Sequence, residues 1–573
     1  MREKEKEKSQ QNKHKPGYRL LAIIVVLICA NIVAWFFYGQ ADLTKDKRYT
    51  ITDATKTLLR ELPQQVDIIV FLEGDNLPAA FQNLANSTNN MLRQFRDLSG
   101  NKVSFRQMDP LGNDTIALHL LRTYNMTGIT VTVDAGKKGK EQKTIFPWAL
   151  VTMVDAQGQS LGYPVFLQEA NTPNLNRKTL LRSEMLLEYN LANGIHQIGK
   201  TERPSVAYIT GNGQPFDFGI FDMIGKLRRY YTIDTFNIGQ EAGIPARYKT
   251  IIVHNPTRPF SETEKFKLDQ YIMNGGNVLW SINMVAGNLD SMRSGHFNAM
   301  PADLNLSDLL FNYGVRINAN LVKDAASSAF IPLQAASENA TADAKPWVYF
   351  PVLNPAGSHP IVKNLGGVLG RFVSSIDTNA NDASISKTIL LSSSRYSKLE
   401  STPAPVLLKS AIELPNPATY TDRELAAAIL LEGRFTSPYA GRRPAEVTEL
   451  INSAGLTFHA KTAKPGKMVI TSDADLFGND VSEQQGPLEM GMFVFEPGHV
   501  YDNGTFFLNC MEYMTDEKNL LEARGKSFDA RVLDPKVVEA ERSRWQFINI
   551  AVPVAAMLLL GSIFFFIRKR KYA

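Results

Sequence analysis

Two short groups of residues have the types and spacing of ligand-binding sites. Gly211-Asn212-Gly213 follows an apolar, strand-like segment and precedes a helix-like one, which is where a parallel sheet often binds an anion. The dinucleotide-binding fingerprint needs a third glycine three residues after the second, and Phe216 stands there. The incomplete motif favours a structural turn over a phosphate cradle.

A pair of carboxylates, Asp473 and Asp475, follows another strand-like segment. Carboxylate oxygens are ligands for hard cations such as calcium. No third acidic ligand is nearby in the sequence. A solvated strand end that caps a helix is therefore the favoured interpretation of this pair.

The eight histidines are scattered, and none shows the HxxxH or HExxH spacing of a zinc hydrolase. His254 follows a predicted strand and is the one placed like a catalytic residue. No nucleophile elbow accompanies it, so a structural histidine is favoured. We predict no catalytic, cofactor-binding or metal-binding residues. The candidate contacts for a ligand or partner are Gly211, Asn212, Gly213, His254, Asp473 and Asp475.

Nucleotide hydrolysis and dithiol chemistry both lack their motifs. Gly525-Lys526-Ser527 matches the end of a P-loop, but Leu520 stands where the first glycine belongs, and no apolar strand precedes it. The two cysteines, Cys29 and Cys510, form no CxxC pair. We therefore expect neither an ATPase site nor a redox site on this chain.

The elements around these residues predict an α/β protein. Strands and helices alternate as β-α-β-α-β over residues 66–133, an order similar to a thioredoxin-like fold. A second alternating series over residues 206–282 is typical of a doubly wound, mostly parallel sheet. Within it, Ser261 and Glu264 have the spacing of a capping box for the helix 262–273.

Two uncharged apolar segments, Leu20–Tyr38 and Phe547–Ile567, are long enough to cross a bilayer. Basic residues flank the first on its N-terminal side and the second on its C-terminal side. The positive-inside rule then places both termini in the cytoplasm and the body in the periplasm. A cleaved signal peptide is the alternative for the first segment, since Gly39-Gln40-Ala41 resembles a cleavage site.

The sequence pI of 8.8 does not indicate a nucleic-acid-binding protein. Each basic tail carries a charge of about +4, which leaves about −3 for the residues between them. A basic footprint for nucleic acid is therefore absent from the body.

These patterns predict a membrane-anchored ectodomain of several domains between two transmembrane helices. A helix that begins at Asp534-Pro535 could continue into the second span, although a spacer that frays before Trp545 is favoured, because short helices are marginal in water. The predicted regions are a basic cytoplasmic tail (1–19), transmembrane helix 1 (20–38), a thioredoxin-like domain (39–200), a central α/β domain with a β-rich insertion (201–533), a juxtamembrane helix (534–546), transmembrane helix 2 (547–567) and a second basic tail (568–573).

An ordered series of short motifs resembles the GldG family, the gliding-motility-associated auxiliary, substrate-binding components of bacterial ABC transport systems. The motifs are Asp42-Leu43-Thr44, Lys47-Arg48-Tyr49-Thr50, Phe71-Leu72-Glu73-Gly74, Met108-Asp109-Pro110, Tyr208-Ile209-Thr210-Gly211-Asn212-Gly213, Thr471-Ser472-Asp473-Ala474-Asp475 and Arg524-Gly525-Lys526-Ser527-Phe528. The resemblance implies a GldF-like permease and a GldA-like ATPase as partners in the inner membrane. It also implies that the central domain is similar to an intraflagellar transport module related to glutamine amidotransferase domains without their cysteine.

Two functions from different classes remain open. The first is a non-enzymatic transporter subunit whose body binds an unknown small molecule or envelope protein, with gliding motility as the process that the resemblance implies. The second is a membrane-anchored periplasmic enzyme that acts on a cell-envelope substrate. The missing nucleophile, metal cluster and P-loop favour the first.

Overall fold

The chain forms two compact units, residues 1–526 and residues 527–573. The computed structural model describes residues 23–28, 50–73, 77–112, 115–134, 140–154, 157–168, 177–200, 203–287, 295–332, 344–379, 384–413, 415–496, 499–515, 520–524 and 535–572. Residues 23–28, which belong to the predicted first span, are helical. The rest of that span, the N-terminal tail, Asp534 and Gly525-Lys526-Ser527 lie outside the described residues.

A four-stranded sheet with helices packed on it occupies the N-terminal part of the larger unit. Its elements are α1 (Asp53–Arg60), β1 (Val66–Val70), α2 (Ala79–Leu98), β2 (Val103–Gln107), α3 (Thr115–Thr123), β3 (Ile129–Asp134), β4 (Lys140–Ile145), β5 (Trp148–Val154), β6 (Ser160–Phe166) and α4 (Arg177–Ile198). The sheet order is β2-β1-β5-β6, with β1 parallel to β2 and antiparallel to β5.

The predicted order of strands and helices over residues 66–133 is confirmed, but its third strand pairs differently from a simple β-α-β-α-β sheet. Strand β3 forms a separate hairpin with β4, and β5 takes the place beside β1. Helices α2 and α4 bury Leu92 and Leu187 in the same core as Ile68 of β1. The thioredoxin-like assignment and the predicted domain boundaries stay predictions.

A larger sheet follows, built from strands with an almost continuous apolar sequence. The remaining elements of this unit are β7 (Ser205–Thr210), α5 (Phe221–Arg228), β8 (Thr232–Asn237), β9 (Tyr248–His254), α6 (Glu262–Met273), β10 (Asn277–Ser281), β11 (Val285–Ala286), β12 (His296–Pro301), α7 (Ser307–Asn312), β13 (Val315–Ile317), β14 (Asn320–Asp324), β15 (Ser328–Pro332), β16 (Ala344–Pro355), β17 (Val368–Leu369), β18 (Ile376–Thr378), β19 (Ile385–Ser392), β20 (Ser397–Ser401), β21 (Ala404–Leu407), β22 (Ala426–Gly433), α8 (Ala445–Ala454), β23 (Gly466–Thr471), β24 (Val481–Ser482), β25 (Gly486–Pro487), α9 (Asn503–Thr515) and α10 (Leu521–Arg524).

The main path of this sheet has the order β15-β16-β19-β22-β23-β10-β9-β7-β8. The segment β23-β10-β9-β7-β8 is parallel, and the strands from β22 to β15 continue the sheet antiparallel. The mixed α/β architecture is therefore confirmed.

Strands β7, β9, β10 and β23 of the parallel segment are buried on both faces, which explains their apolar sequences, while β8 at the edge is more exposed. Successive residues of a strand point to opposite faces. Thus Ile252 and Leu279 belong to one core cluster, while Ile251 and Trp280 belong to another on the opposite face.

The helix between β9 and β10 confirms the predicted capping box. The Glu264 amide donates to Ser261 Oγ at 3.3 Å, and the Ser261 amide donates to Glu264 Oε2 at 2.8 Å. These bonds satisfy two amide groups that have no partner within the helix, so α6 begins at Glu262.

The smaller unit contains α11 (Pro535–Tyr572). Its segment Glu541–Arg570 is the helix, among those described, that is long and apolar enough to cross a membrane. It includes the predicted second span. The favoured spacer that frays before Trp545 is wrong in the structure, because the helix is continuous from Pro535 through the span. Trp545 Nε1 donates to Glu541 Oε2 at 2.9 Å across the predicted break.

Candidate functional site at the sheet edge

The six candidate residues lie at one edge of the larger sheet. Gly211–Gly213 follow β7, His254 ends β9, and Asp473 and Asp475 follow β23. Because β7, β9, β10 and β23 are parallel, their carboxyl ends meet at this edge. Ligands bind at this position in many open α/β sheets.

The glycine turn is held by the loop that follows β9. The Asn212 carbonyl accepts from the amides of Thr257 and Arg258 at 2.9 and 3.0 Å. Gly213 has a positive φ of 77°, and a Cβ there would lie 2.1 Å from Thr257 Oγ1. The Asn212 amide already donates to Gln214 Oε1 at 2.8 Å. These contacts support a structural turn, as the incomplete motif indicates.

The side chain of Asn212 ties this turn to the capping box. Its Nδ2 donates to Glu264 Oε2 at 3.0 Å and to the Pro259 carbonyl at 3.3 Å. The Glu264 carboxylate therefore accepts hydrogen bonds both from the start of α6 and from the glycine turn. Asn212 Oδ1 has no hydrogen-bond partner among the described residues.

His254 is enclosed, with 3% of its surface exposed. Burial disfavours the charged imidazolium and lowers the pKa of His254 to about 4. Its ring lies 6.4 Å from that of Tyr208, whose hydroxyl donates to the Pro215 carbonyl at 2.6 Å. The imidazole is thus neutral at pH 7. Its enclosure fits the structural role favoured by the sequence, although Nδ1 has no hydrogen-bond partner among the described residues.

Asp473 is also buried, and its carboxylate holds two backbone segments together. It accepts from the Arg371 amide at 2.7 Å and from the Asp475 amide at 2.8 Å. The second bond caps the short helical turn Ala474–Leu476. The predicted cap is therefore confirmed, but the strand end is buried rather than solvated.

The side chain of Arg371 lies among three acidic groups at this strand end. Its Nη1 is 2.7 Å from Asp480 Oδ1, and both side chains are largely buried. Burial raises the pKa of Asp473, and the charge of Asp475 raises it further, while Arg371 acts in the opposite direction. In the described part of the chain, no group of three or more acidic, histidine or cysteine side chains could hold a metal ion.

Two asparagines that the sequence reading missed connect the strand ends. Asn283 Nδ2 donates to Asn255 Oδ1 at 3.3 Å, and the Ala474 amide donates to Asn283 Oδ1 at 2.8 Å. Asn283 follows β10, the strand between β9 and β23, so the convergence of parallel strand ends could have identified it. No sequence pattern identifies Arg371 as part of this edge, because it lies in a loop that is distant in sequence.

Three exposed phenylalanines follow the glycine turn. Phe216, Phe218 and Phe221 are 65%, 64% and 60% exposed. Asn479 fixes their loop, donating from its amide to the Gly219 carbonyl at 2.8 Å and from Nδ2 to the Phe218 carbonyl at 2.9 Å. The sheet edge therefore combines buried polar residues with an apolar outer loop.

Comparisons with known proteins cover most of the larger unit. A family model described as an ABC-type uncharacterized transport system matches residues 203–510. A second model, a domain of unknown function (DUF7088), matches residues 45–152. No match was found among curated proteins. Among solved structures, the chain is similar to the mmIFT52 N-terminal domain, with 12% identity and a TM-score of 0.31 over 54% of this chain and 97% of that one.

Proposed function

Since this chain belongs to the family of auxiliary components of ABC-type transport systems, we propose that it is a non-enzymatic, ligand-binding subunit of a bacterial ABC transporter. The family match carries the proposal, because it spans residues 203–510 and so includes all six candidate residues. Energy for transport then comes from ATP hydrolysis on another subunit.

A membrane location supports this role. The continuous helix α11 includes an apolar segment, Glu541–Arg570, that is long enough to span a bilayer. We place the chain in the inner membrane as a two-pass protein with a periplasmic body, on the basic residues that flank both apolar segments. Reporter fusions at both termini and within the body test this topology, and an exported N-terminus would contradict it.

The finer assignment is to a GldG-like subunit. Its partners are then a GldF-like permease and a GldA-like ATPase, and its role includes gliding motility. The thioredoxin-like and amidotransferase-like assignments of the two sheets belong to the same proposal. The β2-β1-β5-β6 order and the parallel segment of the larger sheet are compatible with them.

Partner contact at the sheet edge is assigned to the loop with Phe216, Phe218 and Phe221. Exposed aromatic side chains are common at the centres of protein interfaces. The neighbouring candidates His254 and Asp473 are buried, and we assign them the task of fixing the backbone beneath that loop.

The test is a pull-down of the tagged full chain in mild detergent, with identification of the co-purifying membrane proteins. We expect a permease and an ATPase. The double variant Phe216→Ser/Phe218→Ser should lose them, and the matched variant Phe311→Ser/Phe330→Ser, at phenylalanines that are 47% and 46% exposed, should retain them. Recovery of neither transporter component with the wild-type chain would overturn the proposed function.

A further inference from the structure

The exposed phenylalanines after the glycine turn lie beside a short hairpin that is also exposed. Phe218 and Phe221 are three residues apart in one helical segment, because the turn Phe218–Ile220 leads directly into α5, so their side chains lie on the same side. Strand β24 begins at Val481, two residues after Asn479, whose amide and side chain donate to carbonyls of this segment. Val481 is 48% exposed. The apolar patch consists of Phe216, Phe218, Phe221 and Val481.

Two exposed carboxylates border the apolar patch. Asp217 stands between Phe216 and Phe218, and its side chain caps the helical turn by accepting from the Gly219 amide at 2.8 Å. This bond holds the carboxylate beside the phenylalanines. Glu483 is exposed in the turn that joins β24 to β25. The patch therefore has negative charge on its loop side and on its hairpin side.

A further pair of carboxylates lies where α5 begins. Asp222 Oδ2 accepts from the Met490 amide at 2.8 Å. Lys226 Nζ lies 2.9 Å from Asp222 Oδ2 and 3.2 Å from Glu489 Oε1. One ammonium group thus bridges two carboxylates, which leaves one negative charge uncompensated. The side chain of Lys226 is 15% exposed and that of Glu489 is 57% exposed, so a partner would meet the carboxylate first.

One further cation lies beside the glycine turn. Arg258 is exposed, and its Nη2 donates to the Gly211 carbonyl at 3.2 Å. Its charge offsets one of the carboxylates around the patch. The charged groups named here are four carboxylates and two cations, so the border of the apolar patch has a net negative charge.

This negative charge decides between three kinds of occupant. Proteins that dock on an anionic bilayer surface surround their apolar contact with lysine and arginine, and an acidic border is repelled by such a surface. The same charge repels the apolar patch of a second copy of this chain. Exposed aromatic residues with charged groups around them are otherwise typical of protein interfaces. Electrostatic complementarity then requires positive charge on the partner protein.

We propose that the apolar patch docks on a cationic protein surface, whose lysine or arginine side chains pair with Asp217, Glu483 and Glu489 around an apolar contact with the phenylalanines. The proposal rests on the proposed function, which assigns that surface to the permease, and it adds the chemistry by which the two proteins recognise each other. Charges at the rim of an interface act mainly on the association rate and on its dependence on salt.

Photocrosslinking from the full chain in its native membrane identifies the occupant. The photoreactive analogue p-benzoylphenylalanine replaces Phe218, and mass spectrometry locates the crosslinked segment. We expect a permease segment that has lysine or arginine residues beside apolar ones. A lipid adduct, a second copy of this chain, a segment without basic residues or the absence of any crosslink would overturn the proposal. A crosslink to a basic segment of a protein outside the transporter would overturn the proposed function and leave the cationic surface standing.

Surface plasmon resonance between the full chain and the crosslinked protein, both purified in mild detergent, tests the charge. The double variant Glu483→Lys/Glu489→Lys should raise the Kd by about tenfold or more at about 50 mM NaCl. For the wild-type chain, an increase to about 500 mM NaCl should also weaken binding, because salt screens exposed charges. The double variant should show little of this salt dependence.

The matched control is Glu446→Lys/Glu449→Lys, which makes the same change in charge at two exposed residues of α8. Helix α8 packs on α6, on the opposite face of the larger sheet from α5, so the affinity should be unchanged. Glu483→Gln/Glu489→Gln guards against misfolding, since it removes charge without adding any, and should raise the Kd by a smaller factor, about threefold. Equal affinities of the lysine variant and its control, or binding that does not depend on salt, would overturn the proposal.

Discussion

The sheet edge and the cavity lined by β6, α4, α9 and the residues after α5 both have buried polar side chains, and these side chains differ in how they are bonded. At the edge, Asn212, Gln214 and Asp473 each make at least one hydrogen bond to the backbone. Asn212 Oδ1 and Gln214 Nε2 nevertheless have no partner among the described residues. The space beside Arg371 and Asp475 is about 20 Å³, enough for a water molecule and little more. Gln168 lies beside a cavity of about 210 Å³, and both of its amide ends are closed off from solvent and unpaired among the described residues.

This difference separates a polar network that stabilises the fold from a buried amide that costs stability. A buried group bonded to the backbone fixes loops, and its removal leaves other groups unpaired. A buried amide with no partner at either end costs stability. The two regions should therefore respond in opposite directions to substitution by apolar residues.

The largest effect is expected at Arg371. Arg371→Met removes the cation from a cluster of buried carboxylates and should lower the free energy of unfolding by about 3–5 kcal/mol at pH 7. Urea unfolding of the full chain in mild detergent measures it. Arg395→Met is the control, because its pair with Glu424 is largely exposed, and it should change stability by less than about 0.5 kcal/mol. Equal effects of the two variants would contradict a structural role for the edge.

His254 should make the edge sensitive to acid. Its pKa is lowered to about 4, so the unfolded chain binds the proton more readily. The stability that His254 contributes is complete above pH 6.5 and is lost as the pH falls towards 4, a total of about 3 kcal/mol. His254→Gln should remove this part of the pH dependence.

The measurement is the difference in unfolding free energy between wild type and His254→Gln at pH 7 and at pH 4. Burial raises the pKa of Asp473 and of Asp475, so their contribution has the opposite sign and is lost as the pH rises. The difference between the two proteins removes that shared contribution. If the difference in unfolding free energy between the two proteins is the same at pH 7 and at pH 4, the imidazole is not buried in its neutral form.

A smaller effect of opposite sign is expected in the cavity. Gln168→Met should raise the free energy of unfolding of the ligand-free chain by about 1 kcal/mol, because it removes a buried amide that has no partner among the described residues. Urea unfolding without ligand checks this value. A loss of stability comparable to that of Arg371→Met would show that Gln168 stabilises the fold, as the polar residues of the sheet edge do. The two regions would then not differ.

The smallest effect on stability is expected at the outer loop of the edge. Phe216 is 65% exposed, so Phe216→Ser should change the free energy of unfolding by less than about 0.5 kcal/mol. Recovery of transporter components in the pull-down should nevertheless fall. A large loss of stability would mean that this ring supports the edge and is not available to a partner.

Local patterns were sufficient for much of the fold. The alternation of apolar strands and helices, the Ser261–Glu264 capping box and the apolar segment of α11 each depend on residues close together in sequence. The six candidates also share one sheet edge, as the convergence of parallel strands requires. The GldG-like assignment and the contact role of those six residues stay predictions.

Short stretches of sequence were enough to locate strands, helices and an apolar span, because hydrophobic periodicity and helix capping are properties of a few neighbouring residues. Packing of distant segments, in contrast, places β3 outside the first sheet, brings Arg371 to Asp480 and brings Tyr189 to Glu512, 323 residues away. Such contacts depend on how whole elements pack, and no short sequence pattern encodes that. The cavity is therefore visible only in the folded chain.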